Sequence, residues 1–117
     1  MRILRLATDE GARPITNFGS DGLAILPVAR GQGAFQIGCM RLATGGYVGR
    51  HAAVGPQLFA IVQGAGWVEG DDGAQQPITA GEAAFWEDDE LHAAGTDTGM
   101  LALVIEGDAM RQFEGQP

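Results

Sequence analysis

Residues 57–70 read "QLFAIVQGAGWVEG", two short apolar runs, 57–62 and 66–70, on either side of glycines at 64 and 66. Both runs are rich in β-branched and aromatic residues and are bounded by glycine, the pattern of strands rather than of a helix. Side chains alternate along a strand, so Gln57, Phe59 and Ile61 share one face and Leu58, Ala60 and Val62 the other. Both faces are apolar, and both need cover. A small barrel covers its inner face with itself. The outer face then requires a second sheet, the N-terminal segment or another subunit, and a homodimer is the expectation.

Working outward, "AFQIGCMRL" (34–42), "EAAFW" (82–86) and "MLALVIEG" (100–107) repeat the strand pattern. Asp72-Gly73 marks a hairpin turn, since glycine accepts the positive φ of a tight reversal. No segment carries an apolar stripe at helical spacing. The tail "DAMRQFEGQP" (108–117) reads as a turn of helix or a frayed end. Cys39 shares a strand face with Phe35, Ile37 and Arg41, and its ordinary reading is a buried, inert thiol. Many short strands at this spacing predict one all-β domain over 1–117, a small antiparallel barrel or double-sheet jelly roll.

The chain has 117 residues, a single cysteine, 19 glycines and a formal net charge of −8. Fifteen carboxylates oppose seven scattered arginines, and there is no lysine, the reverse of what phosphate neutralisation needs. Nucleic acid and anionic membranes are therefore not expected partners. One cysteine makes no intrachain bridge, which suits a reducing compartment. "MRILRLATDEGARP" has too short an apolar core for a signal peptide, and no run approaches the roughly 18 apolar residues of a spanning helix. A cytoplasmic protein is expected.

The chain's two histidines complete the reading. Gly45, His51, Ala53, Gln57 and Gly64 fall on the spacing G-x5-H-x-H-x3–4-E-x6-G; Gly81, Glu87, Asp89, His92 and Thr96 fall on that of G-x5-P-x-G-x2-H-x3-N. These are the two motifs of the cupins, which the chain resembles over 45–64 and 81–96; more narrowly it looks like a short single-domain bacterial cupin of the conserved-barrel kind. The resemblance implies a jelly-roll barrel in which three histidines and a glutamate from the motifs hold a divalent metal such as iron, manganese, nickel, copper or zinc. Here it carries over for His51 and His92 only. Ala53 has replaced a histidine and has no donor atom; Gln57 has replaced the glutamate and offers a neutral amide oxygen. Losing a histidine and a carboxylate costs affinity by at least the roughly 10–100-fold that removing a mere outer partner costs. The metal reading of His51, Gln57 and His92 therefore stands beside a plain one, polar barrel-interior residues bonded to each other or to water. "EDDE", Glu87 to Glu90, stands where the family has proline and glycine. Either one of these carboxylates folds over the mouth and restores an anionic ligand, or the run is a solvated turn, the commoner place for such residues.

If Gly81 is the motif glycine, strand parity turns Ala84 and Trp86 inward and Phe85 outward, with Phe59 and Ile61 inward from the first motif. Tyr47 has the parity of His51 and is expected at the mouth. An apolar, aromatic cavity with two histidines and an amide is how a small-molecule site is built, though aromatics in a small barrel more often fill core. The leading expectation is a protein that binds a small organic molecule, with a weakened metal site or none. The alternative that the family implies is a metal-dependent dioxygenase, isomerase or decarboxylase, or a metal-free enzyme with His92 as general base. A role confined to partner binding through the outer face is the third.

Overall fold

The computed structural model describes residues 1–112. Its strands are β1 (Arg2–Arg5), β2 (Arg13–Ile15), β3 (Leu23–Ile25), β4 (Ala29–Leu42), β5 (Tyr47–Ala52), β6 (Gln57–Glu69), β7 (Gln76–Thr79), β8 (Glu82–Trp86), β9 (Leu91–Gly95) and β10 (Met100–Gln112). All pairings are antiparallel. The sole helical segment among the described residues is a three-residue turn at Asn17–Gly19, and no helix is long and apolar enough to cross a membrane.

The stretch that decides the fold is one long strand. β6 joins both expected runs, and its first half lies in the layer β1-β8-β6-β10-β4. From Ala65 onward it pairs with β7 and β9, and β9 pairs with β5, so the same strand passes into a second layer. The glycines permit that passage. A Cβ on Gly66 would lie 2.0 Å from the Gly95 carbonyl oxygen, and one on Gly95 would lie 2.3 Å from the Trp67 ring. The turn at Asp72-Gly73 forms as expected but in a wider loop between β6 and β7: Gly73 has φ 70° and donates to the Gly70 carbonyl.

The layers enclose one core. Phe59, Ile61, Val68, Ile78, Ala84, Trp86, Ala94, Met100, Ala102 and Val104 form the inner cluster. A second cluster lies on the outside of the first layer, where Leu4, Leu58, Ala83 and Phe85 pack with Leu6, Val28, Ala60, Ile105 and Met110. The N-terminal segment thus covers part of the outer face.

Two expectations are corrected. Cys39 is exposed, not buried. Its strand β4 is the edge of the layer, longer than the expected 34–42, and every residue from Arg30 to Cys39 is exposed, since among the described residues no further strand pairs beyond it. The tail is not helical at 108–112, which continue β10 against β4 past an irregularity at Asp108; 113–117 lie outside the described residues.

Candidate functional site

His51 on β5 and His92 on β9 are direct cross-strand partners. Side chains of such a pair stand on the same face, and the ring centroids are 4.3 Å apart. His92 is buried and lies 4.6 Å from the Trp86 ring, which in turn sits 5.6 Å from Phe59. Trp86 is held in place by donating its Nε1–H to the Glu69 carbonyl at 2.9 Å. Residues 41 positions apart in the sequence therefore meet over one indole.

Each imidazole is also pinned from behind. His51 Nδ1 lies 2.7 Å from the Gly49 carbonyl oxygen and His92 Nδ1 lies 3.2 Å from that of Glu90. A carbonyl only accepts, so Nδ1 carries the proton, and in the neutral ring Nε2 is left as an acceptor. Burial pushes the pKa of His92 below its ordinary 6.5. The Glu90 carbonyl opposes that shift, His51 adds to it, and the carboxylates of Glu90 and Glu106 pull it back up. The net direction is down, which keeps His92 neutral near pH 7.

Across the interior, one register row of the first layer faces this pair. Trp86 pairs with Gln57, Gln57 with Glu106, and Glu106 with Gln36, on β8, β6, β10 and β4 in turn. Alternation from Phe59 and Val104, both in the inner cluster, turns Gln57 and Glu106 inward. The site is thus an imidazole pair on one layer and an amide–carboxylate row on the other, bridged by Trp86. Glu106 was not among the residues expected here. Its signal was present in "MLALVIEG", where the alternation Ala102, Val104 continues to Glu106.

Of the other expected residues, Phe59, Ile61, Ala84 and Trp86 lie in the inner cluster and Phe85 in the outer one. Tyr47 does not join them; it is 73% exposed. Gly49 and Arg50 together oppose the single residue Ala93, a bulge that reverses the parity of everything before it. Val48 consequently packs on the inner cluster, and Tyr47 faces away.

Two of the four carboxylates of the 87–90 turn are committed elsewhere. Glu90, buried, pairs with the Met1 ammonium and accepts from the Glu87 N–H at 3.0 Å. Asp88 accepts from the Gly55 N–H at 2.9 Å.

The donor set tests a resident metal directly. The backbone contact behind each histidine is the arrangement that orients an imidazole for a metal. Among the described residues, the two imidazoles, the Gln57 amide and the Glu106 carboxylate are the donors that face this interior, and they do not close into a ligand set. Ala53 is buried without a donor, and among the described residues no group of three histidine, cysteine, aspartate or glutamate side chains is placed to hold an ion. The residues fit two ligands of such a site and not the set a resident divalent ion requires.

No family model and no curated protein matches the chain. Its fold does match solved structures. An RmlC-like cupin from Shewanella frigidimarina is 24% identical with a TM-score of 0.58, over 62% of this chain and 64% of that one. A predicted oxalate decarboxylase from Thermotoga maritima is 25% identical with a TM-score of 0.55, over 66% and 65%. A cupin 2 conserved barrel domain protein from Leptotrichia buccalis is 23% identical with a TM-score of 0.58, over 68% and 39%. In all three the match spans less than two thirds of the other chain.

Proposed function

The chain is a cupin by fold, and from that premise we propose that it binds a small organic molecule between the His51–His92 pair and the Gln57–Glu106 row, against Trp86, without a tightly held metal. The observation that supports this most is the imidazole pair itself. Both Nδ1 atoms are committed to backbone carbonyls, which leaves the Nε2 atom of each ring as the one free to meet a ligand beside an indole face. A carboxylate, Glu106, is close enough to act on His92.

That chemistry selects a ligand class. Neutral imidazole Nε2 atoms and a carboxylate accept hydrogen bonds; they do not attract an anion. With no cation to bridge them, a dicarboxylate meets two imidazole acceptors and a carboxylate against the Gln57 amide N–H donors, in the field of a chain of net charge −8. A polyol or a primary amine supplies the missing donors and sets its carbon skeleton on Trp86.

A thermal-shift series on metal-stripped protein tests the reading, with neutral sugars and primary amines in one arm and dicarboxylates in the other. Sugars or amines raise the melting temperature of the native protein, and His92→Ala abolishes the rise. Stabilisation by dicarboxylates alone, or robust turnover in a metal-supplemented preparation, overturns it.

A further inference from the structure

The inner face of the first layer continues past Glu106 onto β4. Gln36, Gly38 and Met40 are the cross-strand partners of Glu106, Val104 and Ala102 in turn. Val104 and Ala102 belong to the inner cluster and Met40 packs against it, so alternation turns Gly38 and Gln36 inward as well. Gln36, Gly38, Met40, Val104 and Glu106 wall a pocket of about 260 Å³. It shares Glu106 with the site beside Trp86.

Two features of this pocket call for a ligand of their own. Among the described residues no cation pairs with the Glu106 carboxylate and no N–H or O–H donates to it. It is half-buried, with the Gln36 amide next to it on one strand and that of Gln57 on the other. The second feature is the bare wall at position 38. A Cβ built on Gly38 meets nothing within 4 Å, and its backbone lies outside the left-handed region, so a side chain would fit there without strain. Glycine leaves that space open, between the apolar side chains of Val104 and Met40.

We propose that this pocket is a second compartment of the site and takes a primary ammonium ion with a short apolar tail, the ammonium on Glu106 and the tail over Gly38, between Val104 and Met40. Resting on the small-molecule reading of the site above, the compartment narrows the ligand from any hydrogen-bond donor to a cation. An ammonium has three donors and no acceptor, which suits a carboxylate set between amide oxygens and an imidazole Nε2. A hydroxyl reaches the same atoms without charge, and a charge-assisted bond is roughly twice as strong.

The test is calorimetric titration of the metal-stripped full chain with unbranched alkylamines from ethylamine to hexylamine and with the matching alcohols. Each amine binds at least ~10-fold more tightly than its alcohol, the preference shrinks as salt is added, and affinity rises by up to roughly fourfold per methylene. Glu106→Gln, nearly the same shape, brings the amines down to the level of the alcohols; fourteen of the fifteen carboxylates remain in that variant, so a loss there is not one of the general field. Gly38→Leu fills the open space and removes the gain with tail length. Unchanged circular dichroism verifies that both variants fold. Amines that bind the native protein no better than alcohols overturn the proposal, and so does a preference that survives Glu106→Gln or a length dependence that survives Gly38→Leu. Neutral sugars that stabilise the native protein while amines and alcohols bind alike sink this compartment and leave the site beside Trp86 standing. Amines held through Glu106 as well in His92→Ala as in the native protein sink the imidazole pair's role and leave the compartment. Binding of neither class sinks both.

Discussion

The two faces of the first layer are built from the same strands and nearly the same residue types, yet they end differently. On the inside, Phe59, Ile61, Ala84, Trp86, Ala102 and Val104 are all buried, because the β5–β9 layer stands opposite. On the outside, Leu58, Ala83 and Phe85 are buried where β1 and Val28 reach them, while Phe35, Ile37 and Val62 toward β4 are not. Hydrophobicity gives a side chain a reason to be covered; only the element facing it provides the cover. The contrast is sharpest as a pair of truncations. Trp86→Ala removes an indole in contact with Phe59 and His92 and is expected to cost about 3–5 kcal/mol in urea unfolding. Phe35→Ala is expected to cost less than about 1 kcal/mol. Equal costs would mean that the outer face is closed within one chain.

The same contrast runs through the site, between the histidine layer and the row that faces it. Position 53 shows what one side chain withholds. The Ala53 N–H donates to the Glu90 carbonyl and its own carbonyl accepts from the Asp89 N–H, both at 2.9 Å, so the backbone there is held on two sides. Restoring both family ligands in Ala53→His/Gln57→Glu is expected to raise nickel or zinc affinity by at least roughly 10–100-fold in calorimetry. The native protein, purified without added metal, is expected to carry well under one equivalent. A native protein that already binds stoichiometrically and gains nothing from the substitutions would mean that Glu106 or another donor moves in to complete the set.

Burial of His92 also makes stability depend on pH. Because burial lowers the pKa of His92 in the folded chain below its ordinary 6.5, the unfolded chain binds more protons across that interval. Stability is therefore fully present above about 6.5, declines as pH falls below it, and levels off below the lowered value. His51, Glu90 and Glu106 are the charged neighbours that set the depth of the decline. His92→Gln is expected to flatten this segment of the profile in urea titrations between pH 7 and pH 5. An unchanged slope would assign the loss to carboxylates instead.

How much of this was legible in the sequence follows from what carries each feature. The all-β architecture rests on alternation and on glycines at the bends, which are local and readable; the meeting of His51 with His92 followed instead from the resemblance of 45–64 and 81–96 to the two cupin motifs. The inward turn of Phe59, Ile61, Ala84 and Trp86 follows from the same alternation. Glu106 was readable by that rule and passed over because it lies outside both motifs. The exposure of Cys39 was not readable, since alternation says which side chains share a face and nothing about whether a strand is at an edge.

Tyr47 is the finest case, because parity counted back from His51 gave the wrong face. The bulge at Gly49 and Arg50 shifts register within one strand, and no side chain in "YVGRH" announces it. Arg50 explains where the extra residue goes. Its guanidinium donates to Glu69 at 3.0 Å, to the Gly70 carbonyl at 3.1 Å and to the Asp71 carbonyl at 2.8 Å, so it is drawn across to the β6–β7 turn. Adjacent positions then differ in a measurable way. Val48→Ala, on the inner cluster, is expected to cost about 1 kcal/mol. Tyr47→Ala is expected to fall within about 0.5 kcal/mol of the native protein and to leave the thermal shift with sugars or amines unchanged. The reverse order of costs would place the tyrosine inside and remove the bulge, and with it the reason that a strand reading true from His51 onward fails four residues earlier.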